Sequence, residues 1–366
     1  MRIVFYDRTR VDYTAETPFR APLGGSESAQ VYLAIELARL GHQVTLVSNT
    51  SAPGHYRGVD CSNHRDPGTT TLLNGADIIV NSNESLGRWL RDNLRITRPM
   101  VLWIGHAHDQ LAIKGLESSR ERKVWNGYAF VSQWQLDNFV DLYWVPAERS
   151  RVMRNAVSPS FAGLSPVEPG FLRGEPPVLF YTSQPYRGLD VLLEAFPAIR
   201  SAVPNTRLRV FSGFAVTYKT ALEDYRRCME TEGVEYVGPI AQPALASELG
   251  NATALAYPST FEETSCIAAL EAMAAGALIL TTRLGALPET TAGFARMTDY
   301  RRDPATLAAA FAEMVIEALQ DVRRDPKTAL ARREAQIAYV NEKYTWPTRA
   351  VEWQSWLAEI VRDHTG

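Results

Sequence analysis

The sequence predicts an α/β protein built as two Rossmann-like halves, and three observations predict it. At 366 residues the chain is long enough for two domains, each with its own core. In both halves, short β-rich apolar runs bounded by turn residues alternate with longer helical patterns, as crossover-connected parallel sheets require. A stretch rich in proline and glycine, Ser158 to Pro177, separates the halves where a linker belongs. The expected division is 1–165 with a returning helix over 346–366, and 166–345.

Composition narrows the class. Hydrophobic residues make up 46% and charged residues 22%, the fractions expected of an ordinary soluble globular protein. A net charge of −3 gives no nucleic-acid signal. Cys61, Cys228 and Cys266 are odd in number and far apart, so no disulfide framework or metal spacing follows and a reducing cytoplasm fits best. Met1-Arg2 runs straight into an apolar strand without a signal peptide, and no apolar run approaches the ~20 residues of a membrane span. A cytoplasmic protein is expected, soluble or peripheral at the inner membrane face.

The first half opens with a strand over Arg2–Asp7, then a polar loop carrying Arg8, Arg10 and Arg20 and ending in Gly24-Gly25. A helix follows over Ser26–Leu40, closed by Gly41, and then a strand over Val44–Ser48. GGSE lacks the spacing of a dinucleotide fingerprint. Its glycines still let backbone amides approach a phosphate, with Ser26 as cap, although for these residues alone a plain helix-entry turn is the commoner case. Strands are expected at Asp77–Asn81 and Met100–Ile104. Between them lies an amphipathic helix around Trp89, Leu90 and Leu94 with Arg88, Arg91, Arg95 and Arg98. Such a basic helix can rest on an anionic membrane, and a solvated basic face is the commoner case. The strand ending at Ile104 delivers His106, His108 and Asp109 to the sheet edge where α/β proteins bind ligands. Strands over Gly127–Gln133 and Val152–Val157 complete this half, with a short helix Trp134–Val140 between them. Arg154 and Asn155 are candidate cleft residues.

The second half opens with a strand over Val178–Thr182 and the turn SQPYRGLD, followed by a helix through Ile199. Further strands are expected at Leu208–Gly213, Val234–Gly238 and Ala254–Tyr257, with a short helix over Pro243–Leu249. The central stretch is PSTFEETSCIAALEAMAAG, a loop with two exposed acids, a helix over Ser265–Ala275 and the stop Gly276, before a strand at Leu278–Thr281. Glu263 and Glu271 are eight positions apart, ~12 Å along a helix, and ~80° apart around it. That is comparable with a nucleotide diphosphate-sugar: one acid for ribose hydroxyls, one for the sugar, the amides of Ser265, Cys266 and Ile267 for the diphosphate. On geometry alone, Glu263 as a helix cap and Glu271 as a solvated residue stays open. Two long helices over Pro304–Val322 and Lys327–Tyr344 follow. A tail with Trp346, Trp353, Trp356 and Leu357 at helical spacing reads as core.

The interval between Glu263 and Glu271, followed by LEAMAAG and an apolar strand, resembles the nucleotide-sugar site of glycosyltransferase family 4, retaining enzymes of GT-B fold. That resemblance implies two Rossmann-like domains facing a cleft, with the last helix crossing back to the first domain. It implies that Glu271 holds the ribose and Glu263 lies near the donor sugar and its phosphates. The usual glycine and phenylalanine after the first acid are TSCI here, a departure that bears on the donor sugar. Arg187 matches the family's phosphate-pairing Lys, while the usual upstream Arg is absent near Ser183. The turn at Gly238 and Ile240 would receive the nucleobase, and the Gly24-Gly25 loop would close over the donor. WIGH resembles a W-x-x-H element whose histidine faces the donor sugar, which carries onto Trp103 and His106. GALPE resembles the turn and acid after the motif strand, with Glu289 structural.

The expected catalytic set is therefore His106, Glu263 and Arg187. Arg8, Arg10, Arg20, His108, Asp109, Arg154 and Asn155 are expected on the acceptor side. No Asp-x-Asp motif occurs, so no metal and no cofactor is expected beyond the nucleoside-diphosphate sugar, UDP ahead of GDP. The partners expected are that donor and a glycan, lipid-linked or other hydroxyl acceptor. A sugar-nucleotide epimerase, a non-catalytic binding module and a transferase acting on modified nucleic acid are the rivals.

Overall fold

The structure, a computed structural model, describes residues 1–164, 170–213 and 219–365, with backbone alone at 219–222 and 365. It divides into one unit of residues 1–159 and 344–366 and a second of 160–343. Part of the expected linker, residues 165–169, lies outside the described residues.

In the first unit the chain runs β1 (Arg2–Tyr6), α1 (Thr17–Arg20), α2 (Gly25–Arg39), β2 (Gln43–Ser48), β3 (Gly54–Tyr56), β4 (Val59–Asn63) and α3 (Thr69–Gly75). It continues through β5 (Ile78–Ser82), α4 (Gly87–Asn93), β6 (Met100–Ile104), α5 (Ser119–Arg122), β7 (Gly127–Phe130), α6 (Gln133–Tyr143) and β8 (Ser150–Val152). These eight strands lie in the order β3-β4-β2-β1-β5-β6-β7-β8, parallel except for the β3–β4 hairpin. Burial on both faces explains the unbroken apolar runs of β1 and β6. The expected strand Val152–Val157 is corrected: pairing with β7 ends at Val152, so Arg154 and Asn155 sit on irregular backbone.

The second unit runs β9 (Val178–Tyr181), α7 (Leu189–Ala202), β10 (Arg207–Val210), α8 (Lys219–Glu230), β11 (Val234–Tyr236), α9 (Gln242–Leu249) and β12 (Ala254–Tyr257). Then come α10 (Ile267–Ala274), β13 (Leu278–Arg283), α11 (Leu287–Thr291), β14 (Ala295–Asp299), α12 (Pro304–Arg324) and α13 (Pro326–Lys343). Six parallel strands lie in the order β11-β10-β9-β12-β13-β14. The end of α10 is fixed as its glycine predicts: Gly276 takes φ +76°, and its amide donates to the Met273 carbonyl at 3.0 Å. Buried side chains of α13 finish the job. Arg333 Nε donates to the Gly276 carbonyl at 3.0 Å, and Gln336 Nε2 to those of Met273 and Ala277, both at 3.0 Å. A cation at a helix C-terminus also meets its negative dipole end.

The chain closes with α14 (Trp346–Thr365), which belongs to the first unit and packs on α2. Trp346, Trp353, Trp356 and Leu357 are all buried. Trp353 meets Trp103 of β6 at 5.0 Å between ring centres. Gly127 lets β7 come this close, since a Cβ there would lie 2.8 Å from the Trp356 ring.

Candidate active site

In the second sheet the chain leaves β9 toward β10 on one side and returns to β12 on the other. A doubly wound sheet opens its ligand crevice past the C-terminal ends of such a strand pair. The two segments bounding this crevice, 182–188 and 258–266, are locked together by glycines. Gly188 has φ +113°, and a Cβ on it would fall 2.2 Å from the Pro258 carbonyl oxygen. The Thr260 amide donates to the Arg187 carbonyl at 3.2 Å. Gly285, at φ +57°, approaches so closely that a Cβ would lie 2.6 Å from the Glu263 carbonyl oxygen. The Ala286 amide donates to that same carbonyl at 2.7 Å. Both glycines take left-handed backbone and leave no space for a side chain.

The lock sets a polar network. Arg187 Nη1 donates to Glu263 Oε1 at 2.7 Å, and the Tyr257 hydroxyl donates to the same oxygen. Ser183 Oγ donates to the Tyr257 hydroxyl at 3.3 Å. The Arg187 guanidinium lies over the Phe261 ring, 4.3 Å from its centre. Burial, then the Glu263 charge, pushes the Tyr257 phenol well above its ordinary value, so it remains a proton donor. Burial alone would pull Arg187 down; the Glu263 carboxylate reverses this and keeps it charged. Glu263 is 5% exposed, which corrects the expected exposed acid: two fixed donors replace its water. Glu262, beside it, is exposed.

The helical spacing of the two acids also needs correction. α10 starts at Ile267 with Cys266 at the N-cap, and residues 263–266 are irregular. The ~12 Å estimate assumed one helix from Glu263 onward and does not describe this loop. Ser265 lies outside the first turn, so of the expected amides only those of Cys266 and Ile267 belong to the helix N-terminus. Glu271 is 4% exposed, which removes the reading of it as a solvated helical residue. Gly238 has φ +82° and donates its amide to the Val210 carbonyl at 3.2 Å, with half-buried Ile240 just beyond.

Sequence reading missed three residues here. Tyr257 looked like strand filler, and only its place at the last position of β12 hinted at more. Thr182 Oγ1 and Gln242 Oε1 are buried atoms without a hydrogen-bond partner among the described residues. They follow β9 and open α9.

The first-unit candidates scatter. His106 is half-buried after β6, its carbonyl accepting from Gln135 Nε2 at 2.8 Å. The His108 carbonyl accepts from the Tyr143 hydroxyl, and Asp109 is exposed. Arg154 is half-buried and Asn155 buried. Arg8 stacks on Trp89, 4.7 Å from the ring centre. Arg10 is exposed, its carbonyl accepting from Asn49 Nδ2 at 3.0 Å. Arg20 instead pairs with Glu16 at 3.0 Å, which Arg57 also holds at 2.6 Å. Gly24 is the N-cap of α2 and Ser26 lies inside the helix, so Ser26 as cap is corrected. A Cβ on Gly24 would fall 2.3 Å from Glu27 Oε2. The Glu27 side chain thus lies against the turn where Gly24 and Gly25 were expected to meet a phosphate, and burial pushes its carboxyl upward.

Comparison with known proteins bears on the fold and on the second unit. Residues 176–321 match the family model described as glycosyl transferases group 1. Glycogen synthase of Mycobacterium tuberculosis is 28% identical over 165 residues, covering 45% of this chain and 37% of that enzyme's length. A crystal structure of a glycosyltransferase from Rickettsia africae aligns with TM-score 0.73 at 14% identity, covering 98% of each chain. The Anabaena protein HepE, solved with UDP and glucose, aligns with TM-score 0.74 at 17% identity, covering 98% of this chain and 100% of that one. The family match thus falls within the second unit, and the chain as a whole has the GT-B fold.

Proposed function

We propose that this chain is a retaining glycosyltransferase that moves a sugar from a nucleoside-diphosphate donor to an acceptor hydroxyl, with UDP as the carrier. The observation that carries this reading is the Arg187–Glu263 pair at the β9/β12 crevice, inside the segment that matches the family model. Arg187 uses Nη1 on Glu263, and its Nη2 makes no hydrogen bond among the described residues. A guanidinium can therefore hold a donor phosphate on its remaining edge while Glu263 keeps it in place. Glu263 Oε2 is likewise left for a sugar hydroxyl. As the bond to the leaving diphosphate breaks, Arg187 and the α10 amides meet the developing charge. The leaving phosphate takes the acceptor proton on the face of attack. We read the reaction as independent of metal, since Arg187 supplies the positive charge. Glu271 holds the ribose in this reading, and Thr182 and Gln242 offer acceptors for the nucleotide.

A thermal-shift series with UDP, GDP and their glucose conjugates tests the donor, a ligand at ~100 times its Kd stabilising by ~2.7 kcal/mol. Glu271→Ala is expected to abolish the UDP shift. Arg187→Ala is expected to lower turnover at least ~100-fold with the fold intact. Near-native turnover in either variant would defeat these assignments.

A further inference from the structure

We propose that Phe261 and Tyr186 form an aromatic corner that sets the plane of the Arg187 guanidinium, which makes them positioning residues for its hold on the donor diphosphate. The role toward the diphosphate rests on the glycosyltransferase reading; the corner itself does not. Phe261 belongs to the loop after β12, and Tyr186 precedes Arg187 in the turn after β9. Their rings meet edge to face, with 6.1 Å between centres and 80° between planes. The guanidinium carbon of Arg187 lies 4.3 Å from the Phe261 ring centre and 5.6 Å from that of Tyr186. Arg187 Nε also reaches the Tyr186 hydroxyl, at 3.5 Å.

The corner is anchored to the sheet. Ser259 Oγ donates to the Phe261 carbonyl at 2.9 Å and accepts from the Phe261 amide at 3.3 Å. Thr282 Oγ1, on β13, in turn donates to the Ser259 carbonyl at 2.6 Å. Thr260 Oγ1 ties the two loops by donating to the Tyr186 carbonyl at 3.5 Å. Phe261 is therefore placed by the backbone around it, independently of Arg187.

Arg187 needs such a placement. It meets Glu263 through Nη1 alone, at 2.7 Å. One contact of this kind fixes a distance and leaves the plane of the fork to tilt about it. Two parallel bonds to phosphate oxygens require that plane to be set. A ring under one face sets it, by close contact and by the attraction of the cation to the ring quadrupole. Because the fork is ordered before the ligand arrives, less freedom is lost on binding. Tyr186 is 46% exposed, so it closes the side of the corner toward solvent. Phe261→Leu keeps an apolar contact and removes the flat face.

The test measures the affinity of the full chain for UDP by calorimetry and for uridine by NMR titration. The two ligands share the nucleoside and differ in the diphosphate. In the wild-type chain UDP is expected to bind more tightly than uridine. Phe261→Leu should weaken UDP ~10-fold and leave uridine within ~2-fold. Phe261→Tyr should recover most of the loss, and Tyr186→Ala should show a smaller loss confined to UDP. A side chain that merely props the loop would weaken both ligands together. Equal losses for UDP and uridine, native UDP affinity in Phe261→Leu, or no recovery in Phe261→Tyr would each overturn the corner. UDP no tighter than uridine in the wild-type chain would instead overturn the reading of Arg187 as the diphosphate's partner. Side-chain NMR of Arg187 then decides the corner by itself. Slow guanidinium rotation that becomes fast in Phe261→Leu supports it, and fast rotation in the wild-type chain overturns it.

Discussion

Arg187, Glu263 and Tyr257 form a unit whose parts cannot be removed one at a time. Arg187→Met leaves the Glu263 carboxylate 5% exposed without its counter-ion, and removing one partner of a buried pair costs ~3–5 kcal/mol. Arg187→Met with Glu263→Gln is expected to recover more than half of that loss in urea unfolding. A double variant whose loss equals the sum of the two single losses would mean that the pair carries no coupling. A second buried acid, Asp7, lies in the first unit. Asp7 accepts from the Tyr13 hydroxyl at 2.7 Å and the Thr9 amide at 3.0 Å, yet burial raises its pKa. The folded chain then holds this proton to higher pH than the unfolded chain, whose value is near ~3.9. The stability so contributed is complete below that value and is lost as pH climbs through the raised folded one. Asp7→Asn should therefore flatten the fall in unfolding free energy across that range, and an unchanged slope would refute the assignment. Of these residues, the E-x7-E spacing made Glu263 and Glu271 legible in the sequence. Tyr257 was not legible, because its bond to Glu263 depends on how the loop after β12 folds back.

Elements were read best where periodicity was strong. β6 and β12 fall where the apolar runs place them, and α14 follows its tryptophan spacing. Residues 50–75 gave no signal, yet they hold β3, β4 and α3. GHY and VDCSN are short and polar; GHY is the edge strand, with one side open to water, and VDCSN lies next to it. β14, ARMTD, escaped reading for the same reason at the opposite edge of its own sheet. The loops are governed by glycine instead. Gly188→Ala adds a methyl 2.2 Å from the Pro258 carbonyl at a φ of +113°, so the loop carrying Arg187 must move. We expect a lower melting temperature and a UDP shift reduced by at least half. Gly293→Ala is the control, since its φ of +82° carries a similar backbone penalty with nothing within 4 Å. Equal effects on the UDP shift would show that the close approach plays no part in holding the site.

At the scale of the whole molecule, each unit is a doubly wound sheet with its own switch point, and each switch point gathers charged side chains. Arg187 and Glu263 stand at one, Arg8 and Glu84 at the other. No helix among the described residues is long and apolar enough to cross a membrane. Within the basic segment near α4, Arg91 donates to the Ile96 and Arg98 carbonyls at 2.7 and 2.9 Å, and Arg98 to that of Asn74 at 2.7 Å. These cations close a helix end and are not arrayed on a face. Cys61, Cys228 and Cys266 are all buried, and burial pushes the first two thiols up to about 11 and about 12. In the native protein all three should resist a disulfide reagent at mildly alkaline pH and react together on unfolding. Fast reaction of any one before unfolding would mean that its unit opens locally.

The sequence by itself determined the alternation of strands and helices, the boundary region and the pair of acids, because these depend on neighbours along the chain. Hydrophobic period, glycine stops and residue spacing are local quantities. The tertiary structure alone decided which acid is buried, which cation it holds and which glycines admit no side chain. It also decided that Glu27 lies against the turn at Gly24 and that Arg8 turns to Trp89. Those outcomes depend on which loops a parallel sheet brings side by side, and on water being replaced there by fixed donors and acceptors.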